Sequence, residues 1–341
     1  MDTLVEENFV CDIILLVFNN ITITNKCIES ILKNTDVPSR LIIVDNGSEK
    51  SVRDYLSVIE GNDNVKIDVI FNEKNLGFPR GMNIGIRSSN SKFVCLLNND
   101  TIVTHGWLSN MIKIGVKNTE IGVVNPASNN FGQYPPKGRD LESYSDELGK
   151  QFSEKYIEVG QCIGFCMLIK REVIEKIGLL DEEQGFMFFE DTDYCYKARK
   201  AGFKCVIALG AYVYHHKHKS FGKIKDIDKI FKKSQEAFYK RWGKPQRVVL
   251  ILNRDLNTQL DILKDAARGI RDLLSANQFV YIICRVKPSE RILEELEIMH
   301  TNLHFICYAQ FFFIRCILKI LLRKKRFDFI IVYNSYVLNF L

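Results

Sequence analysis

No apolar run in the 341-residue chain approaches the roughly 20 residues that a membrane-crossing helix needs. The opening Met1-Asp2-Thr3-Leu4-Val5-Glu6-Glu7 is acidic and lacks the basic and apolar regions of a secretory signal. No Gly-x-Gly-x-x-Gly follows the first apolar run, where Phe18-Asn19-Asn20 stands instead, and this disfavours a nicotinamide-dependent oxidoreductase. Cys162 and Cys166 have no second Cys or His pair at a zinc spacing, so packing is preferred to metal binding there. The ten cysteines are scattered and several stand in apolar strand-like runs (Cys11, Cys95, Cys205, Cys284), as expected of reduced core residues in a cytoplasmic protein.

Uniform positive charge is lacking too. Residues 1–214 hold 23 Lys and Arg against 29 Asp and Glu, residues 215–245 hold 10 against 3, and residues 246–341 hold 14 against 9. A nucleic-acid binder would be basic throughout, so no nucleic-acid partner is expected. A local basic patch can still meet phosphates or an anionic membrane face. What the chain does have is 46% hydrophobic and 26% charged residues, the balance of a folded globular protein, and a length that suggests two domains.

Apolar runs at Cys11–Phe18, Leu41–Val44, Val65–Phe71 and Lys92–Leu97 alternate with helix-spaced segments at Thr22–Thr35, around Val52–Ile59 and at Arg80–Ser89. This alternation predicts a mostly parallel sheet with helices on both faces. Ligands of such sheets sit beyond the carboxyl ends of the strands. The polar stretch from Asn125 to about Tyr156 shows no convincing periodicity and reads as a long functional loop. Strand pairing is expected again around Glu158–Lys170. Helices follow at Arg171–Ile177 and from Asp191 to Gly202, then a strand at Phe203–Leu209 and a basic helix at Ile224–Trp242.

Gly243-Lys244-Pro245 reads as a boundary between domains at 1–245 and 246–341. Beyond it a second α/β series runs through strands at Arg247–Leu252, Phe279–Cys284, Leu303–Cys307 and Phe327–Tyr333, predicting a partial Rossmann-like domain. The uncharged ending Tyr336–Leu341 carries the expectation that the natural protein continues. The helix Phe311–Arg326, with Arg315, Lys319, Arg323, Lys324, Lys325 and Arg326, could touch membrane lipid or pack on the sheet with a basic end.

Each strand end carries polar residues: Phe18-Asn19-Asn20, Asp45-Asn46-Gly47-Ser48, Asn75-Leu76-Gly77-Phe78 with Asn83-x-Gly85, and Asn98-Asn99-Asp100. Singly each is a turn. In this order, and followed by Gly164-Phe165-Cys166, Gly178-Leu179-Leu180-Asp181-Glu182, Glu190-Asp191-Thr192-Asp193 and His215-His216 with Ser220, they resemble glycosyltransferase family 2 over about residues 11–222. That is the GT-A group of inverting enzymes using nucleotide-diphospho-sugars, and the rhamnosyltransferase-like members are the nearest in pattern. Residues 246–341 resemble, more weakly, the first half of a GT-B glycosyltransferase of the family 4 kind.

The resemblance implies a nucleotide-diphospho-sugar donor, a glycan or lipid-linked acceptor and a Mn²⁺ or Mg²⁺ cofactor. Phe18, Asn19 and Asp45 would meet the base and ribose, with Asn75, Gly77 and Asn83 in the donor-binding series. Arg80 would touch the diphosphate or stand as a solvated helix residue. In the family's DxD position Asn98 and Asn99 leave Asp100 as the carboxylate for the metal; its alternative role is to cap the helix containing Trp107. His215 would be the further ligand, with His216 as the competing register, and His216, Lys217, His218 and Lys219 would form a loop closing over the diphosphate. The general base falls to Asp191 first and Glu190 second, while Asp193 fits a helix-dipole charge better. A non-catalytic binding module for a nucleotide-sugar or glycan is the alternative, because only one carboxylate stands in Asn98-Asn99-Asp100.

Overall fold

The computed structural model describes residues 9–183, 188–216, 226–296, 298 and 300–332. Lys217, His218, Lys219, Ser220 and the ending Tyr336–Leu341, on which expectations were placed, lie outside the described residues. The chain divides into two units, residues 1–156 with 161–241, and residues 157–160 with 242–341.

The first unit opens with β1 (Cys11–Val17), α1 (Ile21–Asn34), β2 (Ser39–Asp45), α2 (Lys50–Ser57), β3 (Val65–Phe71), α3 (Phe78–Arg87) and β4 (Phe93–Asn98). β1 and β2 are almost wholly buried, as strands covered by helices on both faces must be. The chain continues through β5 (Thr101–Val103), α4 (Trp107–Lys117), β6 (Ile121–Ala127), a 3₁₀ turn (Asn129–Phe131), α5 (Leu141–Gln151), β7 (Tyr156–Val159, of which all but Tyr156 counts with the second unit), β8 (Cys166–Lys170), α6 (Arg171–Ile177), α7 (Glu190–Lys200), β9 (Lys204–His215) and α8 (Ile227–Trp242). Strand order is β3-β2-β1-β4-β8-β6-β9-β5. β8 runs antiparallel between β4 and β6, and β5 antiparallel to β9; the other pairings in this order are parallel.

Two expectations need correction. The stretch after Asn125 is not one long loop. β6 reaches Ala127 and α5 follows, its first turn capped by Asp140, whose carboxylate accepts from the Ser143 N–H at 2.9 Å. Only Ser145 of α5 is buried, so the apolar periodicity that would have announced the helix is missing. Nor does Asp100 cap the helix containing Trp107. Gly106 holds that position, and Asp100 stands just ahead of β5.

In the second unit β10 (Arg247–Ile251), β11 (Phe279–Cys284), β12 (Leu303–Cys307) and β13 (Phe329–Val332) form a wholly parallel sheet in the order β12-β11-β10-β13. Its helices are α9 (Leu260–Ser275), α10 (Glu290–Glu295) and α11 (Phe312–Leu321). α9 buries Leu263, Ala266, Ala267, Ile270 and Leu274, a stripe at helical spacing, and these join Val248, Leu250, Val280 and Ile282 in one core. Among the described residues no helix is long and apolar enough to cross a membrane.

Candidate active site

The loops after β1, β2 and β3 are stitched together by their own polar groups. Asn19 takes a left-handed backbone (φ 56°), its N–H donates to Ser48 Oγ at 2.8 Å, and its Oδ1 accepts from the Glu49 N–H at 2.8 Å. Gly47 is required here: at φ +79° a Cβ would stand 2.6 Å from the Lys74 backbone. Asn75 Oδ1 accepts from Asn46 Nδ2 and from the Gly77 N–H, each at 2.9 Å. Phe18 is about half exposed beside this platform.

Asp45 is fully buried at the end of β2 and accepts from the Ser48 N–H at 3.1 Å and from Arg53 Nη1 at 3.0 Å. The same guanidinium nitrogen donates to the Asn72 carbonyl at 2.8 Å, and the group lies over the Phe71 ring. Arg53 was missed from sequence, where a helix-surface arginine eight residues past Asp45 gives no signal. Asn83 is also buried. Its amide donates to the Leu180 carbonyl and Glu182 Oε1 and accepts from the Leu180 N–H, so both ends clamp the 180–182 loop. Arg80, largely exposed, reaches the same Glu182 at 3.5 Å.

The Asn98-Asn99-Asp100 triplet splits three ways. Asn98 lines a cavity, Asn99 turns its amide to Thr24 Oγ1 of α1 at 2.9 Å, and Asp100 meets His215. The β5–β9 register sets Thr101 opposite His215, which brings His215 Nε2 to 2.9 Å from Asp100 Oδ1. Asn130 holds the other ring nitrogen at 2.9 Å, and Phe165 stacks on the imidazole with centroids 5.3 Å apart. His216 falls in the other register: its ring packs on Tyr214 while its N–H donates to the Asp100 carbonyl. Asn130 and Phe165 were not among the expected site residues, and only the structure brings them to His215.

The acidic run sits at the first turn of α7, entered through two left-handed aromatic residues, Phe188 (φ 72°) and Phe189 (φ 65°). Bulky side chains rarely adopt this backbone, and such strain persists only where the surroundings enforce it. Here Phe231 packs on both rings and Phe238 on Phe189, all at centroid distances of 5.2–5.3 Å. Asp191 is anchored: Oδ2 accepts from the Gly164 N–H at 2.7 Å, and Oδ1 from the Thr192 N–H at 2.6 Å. Burial raises its pKa, against the lowering pull of the Gly164 N–H. Glu190 differs. Its Oε2 is buried with no hydrogen-bond partner, and burial together with the Asp191 charge pushes its pKa up to about 8. Asp193 points elsewhere, to Lys197 Nζ at 2.7 Å and Arg241 Nη1 at 3.0 Å, so it is a structural charge.

Glu190, Asp191, Asn98, Asn130 and His215 line a single cavity of about 470 Å³, with Phe78, Phe165 and the Phe188–Phe189 pair among its apolar walls. Two acid–base constellations from distant parts of the chain therefore face one space. Behind it, the Cys162, Cys195 and Cys205 sulfurs lie within 4.8 Å of one another, a grouping that sequence spacing does not reveal. Burial holds the Cys162 thiol well above the usual range, and it donates to the Val206 carbonyl at 3.6 Å.

Comparison with known proteins bears on the family and the fold. A low-salt glycan biosynthesis hexosyltransferase of Haloferax volcanii is 28% identical over 175 residues, 48% of this chain and 54% of that protein. An uncharacterized protein of Sinorhizobium fredii is 27% identical over 241 residues, 66% of this chain and 26% of that protein. The chain thus spans between about a quarter and about half the length of these relatives. In fold it is similar to GalNAc-T7, solved with UDP, GalNAc and Mn²⁺, at a TM-score of 0.53 and 14% identity, over 92% of this chain and 58% of that one. The sequence profile described as Glycosyltransferase like family 2 matches residues 16–226, and the chain belongs to that family.

Proposed function

We propose that residues 1–245 form an inverting glycosyltransferase that moves a sugar from a nucleotide-diphospho-sugar to a hydroxyl of a glycan or lipid-linked acceptor. The observation that carries this reading is the shared cavity, with the Glu190–Asp191 pair and His215, the hydrogen-bond partner of Asp100, on its walls. Single displacement needs one base to take the acceptor proton and one site to receive the departing diphosphate.

Glu190 takes the role of base ahead of Asp191, reversing the order expected from sequence. A base needs an oxygen that is not already accepting, and Glu190 Oε2 has no partner while both Asp191 oxygens hold N–H groups. Asp191 instead fixes the start of α7 to Gly164 and raises the basicity of its neighbour through charge. The two titrate as a pair.

The residues present fit a divalent cation. A carboxylate oxygen and an imidazole nitrogen face each other at 2.9 Å, and the imidazole is fixed from its other side by Asn130. Asp100 and His215 would hold Mn²⁺ or Mg²⁺, which when bound stabilises the negative charge on the leaving diphosphate. Asn98 orients the donor beside them. Phe18, Asn19, Asp45, Asn75 and Gly77 form the base and ribose end. Asn99 braces α1 and Asn83 positions the 180–182 loop; Arg80 must leave Glu182 to reach a phosphate.

The glycan-biosynthesis relative supports a role in making a glycan. We extend this to cell-surface polysaccharide made on the cytoplasmic side, and the rhamnosyltransferase-like pattern makes rhamnose the first donor sugar to try. A thermal-shift panel of nucleotide diphosphates and their sugars, with and without Mn²⁺, identifies the donor; transfer is then assayed with the full chain. Stabilisation by one nucleotide-sugar that depends on Mn²⁺, followed by turnover, supports the proposal. Donor binding without turnover favours the binding module, the reading suggested by the single carboxylate of Asn98-Asn99-Asp100.

A further inference from the structure

Sequence left two roles open for the basic helix near the end of the chain, packing on the sheet and contact with lipid, and the helix has one packed face and one exposed face. The inner face of α11 sets Phe312 and Cys316 against Val249, Ile251 and Ile283 of the second sheet, with Phe313 and Ile320 beside them. Packing is therefore already provided for. The outer face carries Phe311, Ile314, Leu318 and Leu321, spaced three, four and three residues apart, and Leu322 adjoins them. These five are 48–76% exposed. A surface helix is expected to be polar on this side, and a run of large exposed apolar side chains marks an interaction site.

Charge says what kind of partner the face suits. Arg315, Lys319, Lys324, Lys325 and Arg326 are all exposed on and just beyond this helix, and no acidic residue occurs from Phe311 to Phe327. None of the five cations is ion-paired among the described residues. Arg315 lies over the Tyr308 ring at 5.8 Å while staying exposed; Arg323 is half-buried, stacks closely over Tyr281 at 4.2 Å and Phe327 at 4.5 Å, and belongs to the packing. A second copy docking through the same face would bring two sets of cations together and repel. An uncharged protein surface would cover the apolar stripe and leave the cations unmatched. An anionic lipid surface satisfies both, with apolar side chains among the acyl chains and cations at the headgroups.

We propose that the outer face of α11 docks on an anionic membrane surface. At ten residues the helix is about 15 Å long, too short to cross a bilayer, so it lies in the plane of the interface. The proposal does not depend on the sugar transfer assigned above, because vesicle binding requires neither donor nor turnover.

The test is co-sedimentation of the full chain with phosphatidylcholine vesicles, with and without phosphatidylglycerol. Binding is expected to the anionic vesicles only and to weaken as salt is raised. Lys324→Glu combined with Lys325→Glu, both on exposed positions that do not threaten the fold, is expected to weaken it more than tenfold. Ile314→Ser with Leu318→Ser is expected to abolish it, with unchanged far-UV circular dichroism. The proposal is overturned if the wild-type chain stays in the supernatant with anionic vesicles, or if the Lys324/Lys325 variant sediments equally well. It is also overturned if light scattering shows a dimer that Leu318→Ser dissolves while vesicles bind nothing.

Discussion

The beginning of α7 and the outer face of α11 break the rules of folding in opposite directions. At α7 a polar atom, Glu190 Oε2, is buried without a partner. At α11 apolar side chains from Phe311 to Leu322 stand exposed without cover. Around both, the ordinary rules are kept. Asp193, three residues from Glu190, is more deeply buried but is ion-paired with Lys197 and Arg241, and the inner face of α11 packs on its sheet. A buried group left unmatched costs free energy that nothing local returns. In the first unit that deficit belongs to a residue lining a cavity, where a small movement of the side chain could find a partner on a substrate. In the second it points outward, to a surface that must come from elsewhere.

The largest effect that sharpens this contrast is on chemistry. Glu190→Gln keeps the shape and removes the base, so turnover should fall by roughly 10²–10⁴ while donor affinity changes little. Asp191→Asn weakens the tether to Gly164 as well, so donor affinity should fall together with turnover. Equal behaviour of the two variants would erase the distinction between an anchored and an available carboxylate. Next in size, Asp100→Ala should remove the Mn²⁺-dependent part of the thermal stabilisation by nucleoside diphosphate, leaving the metal-independent part.

On stability, the matched acid is the one that counts. Asp193→Asn should cost about 2 kcal/mol in urea unfolding, because it weakens the hydrogen bond from Arg241 and removes the ion pair with Lys197. Asp228→Asn on exposed α8 is the control, expected within about 0.5 kcal/mol of wild type. The smallest effect is on pH. The pKa of Glu190 is raised from 4.5 to about 8 on folding, so the native state binds more protons than the unfolded state across that window. Its contribution to stability is therefore full below pH 4.5 and lost as pH rises through about 8. Glu190→Gln should melt close to wild type in acid and increasingly above it as the pH approaches 8, in differential scanning calorimetry.

Much of the fold could be read from periodicity, because β1, β2, β4, β10 and β11 are short, mostly buried runs between strong turn signals, and the half-exposed β3 and β12 are apolar-rich runs of similar length. The places that escaped are those where local pattern is silent. α5 buries one serine and has no apolar stripe. β8 gives no sign that it runs antiparallel, since strand direction is set by what lies beside it. At the site, Asp45, Asp100, Glu190, Asp191 and His215 stood out as polar residues at strand and helix ends. Their partners Arg53, Asn130 and Gly164 are far away in sequence or ordinary in type, and distance across the fold is not written in spacing. Which of His215 and His216 turns its ring to Asp100 is a one-residue register, set by the pairing of β5 with β9.

The account rests on one cavity serving both the departing diphosphate and the acceptor proton. The most direct test is a crystal structure of the full chain with Mn²⁺ and the nucleotide-sugar that stabilises it. An anomalous manganese peak between Asp100 and His215, with the sugar in the cavity facing Glu190, is the expected result. Manganese bound elsewhere, or a sugar on the far side of the cavity from Glu190, would contradict it.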